Sequence, residues 1–228
     1  MSNHDGFLKL AHGTGIPLVG GNLARSPGPL VINVTVIGAA RRRRVLTRAG
    51  GRHGDELYVT GSLGAAATGL AICESGVDRG ALDPTLGECL GRYEWPQPRL
   101  RLGISVARNR AASACVDLSD GLADAVSQLA GASGTGAVVE ASRLPIHPGT
   151  IAWAATRGQH AVPQAVSGGE DYELLFAVPA RRRAAFRAAA RSQPDVTVTH
   201  IGRLSRDTGV WLDRDGRLEP LGRGFSHF

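Results

Sequence analysis

The sequence predicts an α+β fold. Two observations carry that prediction. Short stretches that alternate with a period of two, such as Leu30–Val36, mark half-buried strands, while stretches such as 119–134 place Leu122, Val126 and Leu129 on one helical face. The two kinds mix along the whole chain, with no internal repeat and no long low-complexity segment. With 228 residues, 43% hydrophobic and 20% charged, the chain has the composition of a globular protein and the length to bury a core in one large or two small domains.

The elements follow in order. Residues 6–15 read as the end of a helix closed by glycines, and 16–19 as a short strand. The loop 20–29 is rich in breakers. In 30–38, Leu30, Ile32, Val34 and Val36 face one side and Asn33 and Thr35 the other, which predicts a half-buried strand. An arginine run, 41–44, marks a turn. A strand at 56–61 precedes a small-residue helix at 64–76. A basic helix, 99–112, leads into a strand at 113–117 and a helix at 119–134 with Ser119 as its N-cap. Strands at 136–141, 172–179, 196–202 and 210–213 follow, with a helix at 180–192.

Charge and cysteine usage narrow the setting. The net charge is +6, and Lys9 is the only lysine, so the positive charge is nearly all arginine. A basic surface suits phosphorylated ligands or nucleic acid. Aromatic residues are only 5% and do not interleave with the arginine runs at 41–44 and 181–183, which disfavours a nucleic-acid surface; solvated turn and helix faces account for those runs. Cys73, Cys89 and Cys115 are scattered and odd in number, which argues against a disulfide framework or zinc site and for a reducing, cytoplasmic setting. Nothing reads as a signal peptide, and no apolar run approaches the roughly 20 residues of a membrane span.

Three stretches can carry chemistry. In VDLSDGL (116–122), Asp117 ends a strand and Asp120 opens a helix. Magnesium takes one or two carboxylates and completes its shell with water and phosphate oxygens, and a helix N-terminus favours an anion. The competing structural reading makes Ser119 an N-cap and Asp120 a dipole partner. VGGNLARS (19–26) puts a Gly-Gly turn after a strand, where bare N–H groups can cradle phosphate, though an ordinary turn explains it as well. SGGEDYELLF (167–176) places Glu170, Asp171 and Glu173 directly before an apolar strand, with Glu170 expected to face a ligand. His12, His53 and His200 are isolated from one another, and Cys115 reads as core packing.

These stretches, together with GIPLVGGN (15–22), HGDELYVTGSLGAAATGLAI (53–72) and the terminal GFSHF (224–228), resemble the thiamine-monophosphate kinase family in order and spacing over essentially the whole chain. Its superfamily also holds aminoimidazole-ribonucleotide synthetase, which is the runner-up reading, selenophosphate synthetase and a hydrogenase-maturation factor. The resemblance implies a two-part α+β kinase. A truncated N-terminal ATP-binding and dimerisation domain, residues 1–52, would precede a complete C-terminal domain with a mixed sheet, residues 53–228. It implies transfer of the ATP γ-phosphoryl group to thiamine monophosphate, with Mg2+, in a homodimer that binds neither nucleic acid nor membrane. By the same resemblance, Asp117 and Asp120 hold metal. Ser119, Gly21, Asn22 and Arg48 contact ATP, and Glu170 contacts the thiamine phosphate.

The chain departs from the family pattern in three places. Asn22 stands where the family has aspartate. Nothing in residues 1–14 matches the family's front Gly-Asp-Asp and acidic metal loops. Gly222 falls about where the family places a large substrate-stacking residue. These departures weaken the metal set and the substrate pocket. They make a non-catalytic nucleotide- or phosphate-binding remnant the competing expectation.

Overall fold

The computed structural model describes residues 3–41, 44–222 and 224, with side chains described from residue 6 onward. Arg42, Arg43 and the last four residues of the GFSHF ending therefore lie outside the described residues. The chain divides into two compact units, Met1–Ala39 and Ala40–Phe228.

Among its described residues, the first unit contains one helix, α1 (Asn3–Thr14). It ends as the sequence predicts. Gly15 takes the left-handed conformation, and the N–H groups of Gly15 and Ile16 return to the carbonyls of His12 and Ala11. The expected strands at 16–19 and 30–38 do not form. Both segments are irregular, and Val19, Leu30, Ile32, Val36 and Ile37 are largely exposed. Alternation describes a chain ready to pair, but a strand exists only against a partner, and no strand of this unit is present among its described residues.

The second unit is a mixed seven-stranded sheet with helices on both faces. In chain order its elements are β1 (Glu56–Thr60), α2 (Ala65–Ser75), α3 (Pro84–Glu94), α4 (Leu100–Arg108), β2 (Ala114–Asp117) and α5 (Leu122–Ser133). There follow β3 (Gly136–Glu140), α6 (Pro148–Ala155), α7 (Ala161–Ser167), β4 (Leu174–Val178), α8 (Arg183–Arg191), β5 (Val198–Ser205), β6 (Val210–Arg214) and β7 (Arg217–Pro220). The strand order is β2-β4-β1-β5-β3-β6-β7, antiparallel throughout except for the β3–β6 pair.

Strand periodicity divides the core. Leu57 and Val59 of β1, with Leu175 and Ala177 of β4, point to the face covered by α5 and α7. Tyr58, Phe176 and Val178 point to the other face, where Leu102 and Val106 of α4 and Phe186 of α8 meet them. A smaller cluster joins α2, α3 and α6 through Ile72, Cys89 and Trp153. Both faces of the central strands are therefore buried, which is why β4 reads as a continuous apolar run.

Two boundaries differ from expectation in an informative way. The basic helix ends at Arg108 rather than reaching 112, because Arg110 adopts a left-handed backbone (φ 49°) and Ala111 closes the helix by donating to the Val106 carbonyl. Helix α5 starts at Leu122, not Ser119: its N-cap is Gly121, whose φ of 96° and ψ of 169° suit only glycine, and no side chain caps it. The structural reading of Ser119 as an N-cap is thus overturned.

Candidate active site

The C-terminal end of β2 and the loop before β4 form one unit. Asp117 pairs with Leu174 as the last step of the β2–β4 ladder. The ladder then continues beyond both strands. The Leu118 N–H donates to the Glu173 carbonyl (2.9 Å), the Tyr172 N–H to the Leu118 carbonyl (3.2 Å), and the Glu170 N–H to the Ser119 carbonyl (2.7 Å). Glycine makes this approach possible. A Cβ on Gly169 would lie 2.6 Å from the Ser119 carbonyl oxygen, and one on Gly121 would lie 2.9 Å from that of Gly168. The two motifs singled out in the sequence, 116–122 and 167–176, are therefore laced together.

The three carboxylates of SGGEDYELLF have three different settings. Glu170 is exposed. Asp171 is buried, and its two oxygens accept the N–H groups of Gly64 (2.7 Å) and Ala66 (3.0 Å) at the start of α2. That helix has no cap from its own N-cap residue, so a side chain from more than a hundred positions away satisfies its first turn. Burial pushes the Asp171 carboxyl up to about 6 despite these two hydrogen bonds, which act in the opposite direction. Glu173 is fully buried. Arg99 grips it at both oxygens (2.7 and 2.5 Å), Thr60 Oγ1 donates to it (2.5 Å), and Arg92 approaches at 3.4 Å. Asp171 and Glu173 thus fix the loop and leave Glu170 to face outward.

Tyr172 sits among the remaining acids. Burial raises its phenol above the usual range. The charge of Glu170, a hydrogen bond to Glu170, and the charges of Asp117 and Asp120 add to that shift. Glu170, Asp117 and Asp120 therefore share one electrostatic neighbourhood. Glu170 (φ 69°) and Tyr172 (φ 50°) both take left-handed backbone conformations, which cost non-glycine residues about 1 kcal/mol or more each. The surrounding hydrogen bonds hold that strain in the segment that presents Glu170.

The structure brings Asp117, Ser119, Asp120 and Glu170 together. Gly224 joins them from the chain's end: a Cβ there would meet the Asp120 carbonyl at 2.5 Å. Arg48 lies elsewhere on the same unit. Its carbonyl accepts from Ser133 Oγ (3.3 Å), at the last residue of α5, whose first residue follows the Asp117–Gly121 turn. Gly222 is exposed, and a side chain there would meet open space on a backbone (φ 91°) that suits glycine. Gly21 and Asn22 belong to the first unit, in an exposed irregular segment. Among the described residues, no three His, Cys, Asp or Glu side chains converge to hold a metal ion by themselves. The carboxylate and hydroxyl oxygens at 117–120 do fit a hard cation that keeps water and phosphate in its shell.

Sequence reasoning singled out Asp171 and Glu173 without assigning them these partners, and it missed Arg92 and Arg99. The signal for Asp171 and Glu173 was present: carboxylates flanking a buried strand must find donors. Cys115 is, as expected, a packing residue, and burial pushes its thiol up to about 12. The three cysteines are free. No helix among the described residues is long and apolar enough to cross a membrane.

An antiparallel-rich sheet carrying an acidic strand-to-helix turn, laced to a glycine-led acidic loop, is an architecture found among known proteins. The chain belongs to the AIR synthase-related family: residues 52–213 match the AIR synthase related protein C-terminal domain. Within that class its relatives are thiamine-monophosphate kinases, as the sequence motifs implied. The kinase of Caulobacter vibrioides is 34% identical over 215 residues, covering 93% of this chain and 59% of its own length. That of Escherichia coli K12 is 35% identical over 227 residues, covering 98% and 67%. Among solved structures, the thiamine-monophosphate kinase of Stenotrophomonas maltophilia superposes with a TM-score of 0.68 at 32% identity, over 76% of this chain and 54% of that one. AaThiL complexed with AMPPCP and TMP gives 0.66 at 29%, over 80% and 54%. E. coli HypE, at 22% identity and a TM-score of 0.60, shares the fold alone. The chain thus spans 59 to 67% of the length of the two curated relatives and about half that of the solved chains.

Proposed function

We propose that this chain carries the phosphoryl-transfer site of a thiamine-monophosphate kinase, moving the γ-phosphoryl group of ATP to thiamine monophosphate to give thiamine diphosphate. The observation that carries the reading is the lacing of the Asp117–Gly121 turn to the Gly168–Glu173 loop, which sets Asp117, Asp120 and Glu170 in one neighbourhood. The kinase relatives and the neighbour complexed with AMPPCP and TMP support it.

In this reading Asp117 and Asp120 hold magnesium, which when bound neutralises the transferring phosphates. Ser119, Gly21, Asn22 and Arg48 contact ATP. Glu170, held outward by its buried neighbours, contacts the thiamine phosphate, and Gly222 leaves the ring face of that pocket without a stacking side chain. The acceptor is itself a phosphate with a second pKa of about 6, already mostly deprotonated near neutral pH. No side chain needs to act as a general base, so the work of the protein is to place two phosphates in line and to shield their repulsion. Residues 1–52 serve as the ATP-side and pairing segment of a homodimer in the cytoplasm.

A second reading is a nucleotide-binding chain that does not turn over. Asn22 favours it, because it lacks the charge of an aspartate ligand. Incubation with ATP, magnesium and thiamine monophosphate separates the two. Thiamine diphosphate that disappears in Asp117→Asn and Asp120→Asn supports the kinase. Mg-ATP binding without product supports the second reading.

A further inference from the structure

Part of the arginine run 181–183, which the proposed chemistry leaves unused, lines a cavity of about 290 Å3 together with two further arginines. Arg181 and Arg182 enter it from the turn before α8, Arg110 from the end of α4, and Arg52 from the segment before β1. Its floor includes Ser113, which precedes β2, whereas Asp117 ends that strand; four residues of extended chain, about 13 Å, separate the cavity from the acidic turn.

The charges in this cavity do not cancel. Its one acid among the described residues, Asp55, is buried, and its carboxylate already accepts from the Arg52 backbone N–H (3.1 Å) and the Ser113 hydroxyl (2.6 Å). Arg182 reaches the Ala112 carbonyl at 3.4 Å. Among the described residues, none of the four guanidinium groups has a carboxylate within ion-pair distance. Six other described arginines do have such partners. Arg110 holds its place at a backbone cost: glycine is the usual residue at that left-handed helix end, and arginine is present instead.

We infer that this cavity is a binding site for a compact phosphate-bearing anion, separate from the site of phosphoryl transfer. Several forked guanidinium groups lining one concave surface match the oxygens of a phosphate. Among the described residues, the lining contains no aromatic ring on which a base could stack, which favours a small anion over a nucleic-acid strand or a nucleotide held by its base.

The test is titration calorimetry of the whole chain with inorganic pyrophosphate and, in a second arm, glycerol 3-phosphate, both in chelator. Without divalent metal the acidic turn repels anions, so this result does not depend on the kinase reading. Saturable one-site binding is expected, weakened at least about tenfold in Arg110→Gly and in Arg181→Ala. Arg110→Gly relaxes the left-handed backbone, so its melting temperature holds or rises while affinity falls, an outcome that unfolding cannot mimic. Stronger binding of pyrophosphate identifies an inorganic anion, and stronger binding of the ester a phosphorylated metabolite; either supports the site. The inference is overturned by an absence of saturable binding, by affinity unchanged in both variants, by loss of binding in Asp117→Asn, or by a single-stranded oligonucleotide that outcompetes both anions.

Discussion

Glu173 is a carboxylate in the interior, where Arg99 meets both of its oxygens, Thr60 adds a third donor and Arg92 approaches at 3.4 Å. Arg99→Ala removes the two-pronged partner of that carboxylate, leaving it Thr60 and the more distant Arg92, and is expected to destabilise the chain by about 3–5 kcal/mol in urea unfolding. Arg99→Lys keeps the charge but not the fork and falls between the two. Asp171 gives a pH signature. Its carboxyl titrates near 6 in the folded chain against an ordinary 3.8, so between those values the folded state holds a proton that the unfolded state has released. Its contribution is fully present below pH 3.8 and is lost as pH rises through 6, a change of about 3 kcal/mol. Asp171→Asn removes that slope. The stability difference between wild type and variant, measured from pH 3.5 to 7, should therefore shift against the wild type as pH rises.

At the scale of elements, the lacing of two loops is the feature on which ligand binding depends. Gly169→Ala drives a methyl into the Ser119 carbonyl and is expected to cost about 1–3 kcal/mol and to weaken Mg-ATP binding by more than that loss of stability explains. Calorimetry on the folded variant checks it. The elements of the second unit were largely legible, because strands such as Leu174–Val178 and helices such as Ala65–Ser75 carry their own pattern and their own stops. Three helices, α3, α6 and α7, were not anticipated. Two of them carried a start signal in Asp83–Pro84 and His147–Pro148, where a capping side chain precedes proline at the first turn. The 30–38 segment shows the opposite failure: its alternation is real, but pairing is a property of two segments and one sequence window holds only one. The site was legible as motifs. Its construction was not, because Asp171 meets Gly64 and Glu173 meets Arg99 only after the chain has crossed the sheet.

For the whole molecule, the exposed apolar residues Leu30, Ile32, Val36 and Ile37 lie in an irregular segment whose alternation suits pairing with another chain. Light scattering of the full chain should show self-association, and Val34→Lys with Val36→Lys should shift it toward monomer while leaving the far-ultraviolet circular dichroism of the second unit unchanged.

The strand order bears on synthesis. β1, β2 and β3 never hydrogen-bond to one another; each waits for β4 or a later strand, and β4 begins only at Leu174. A ribosome making this polypeptide therefore extrudes three separate ribbons with no sheet to join. The nascent chain stays dependent on whatever shields it until its final quarter emerges and zips the earlier pieces into place.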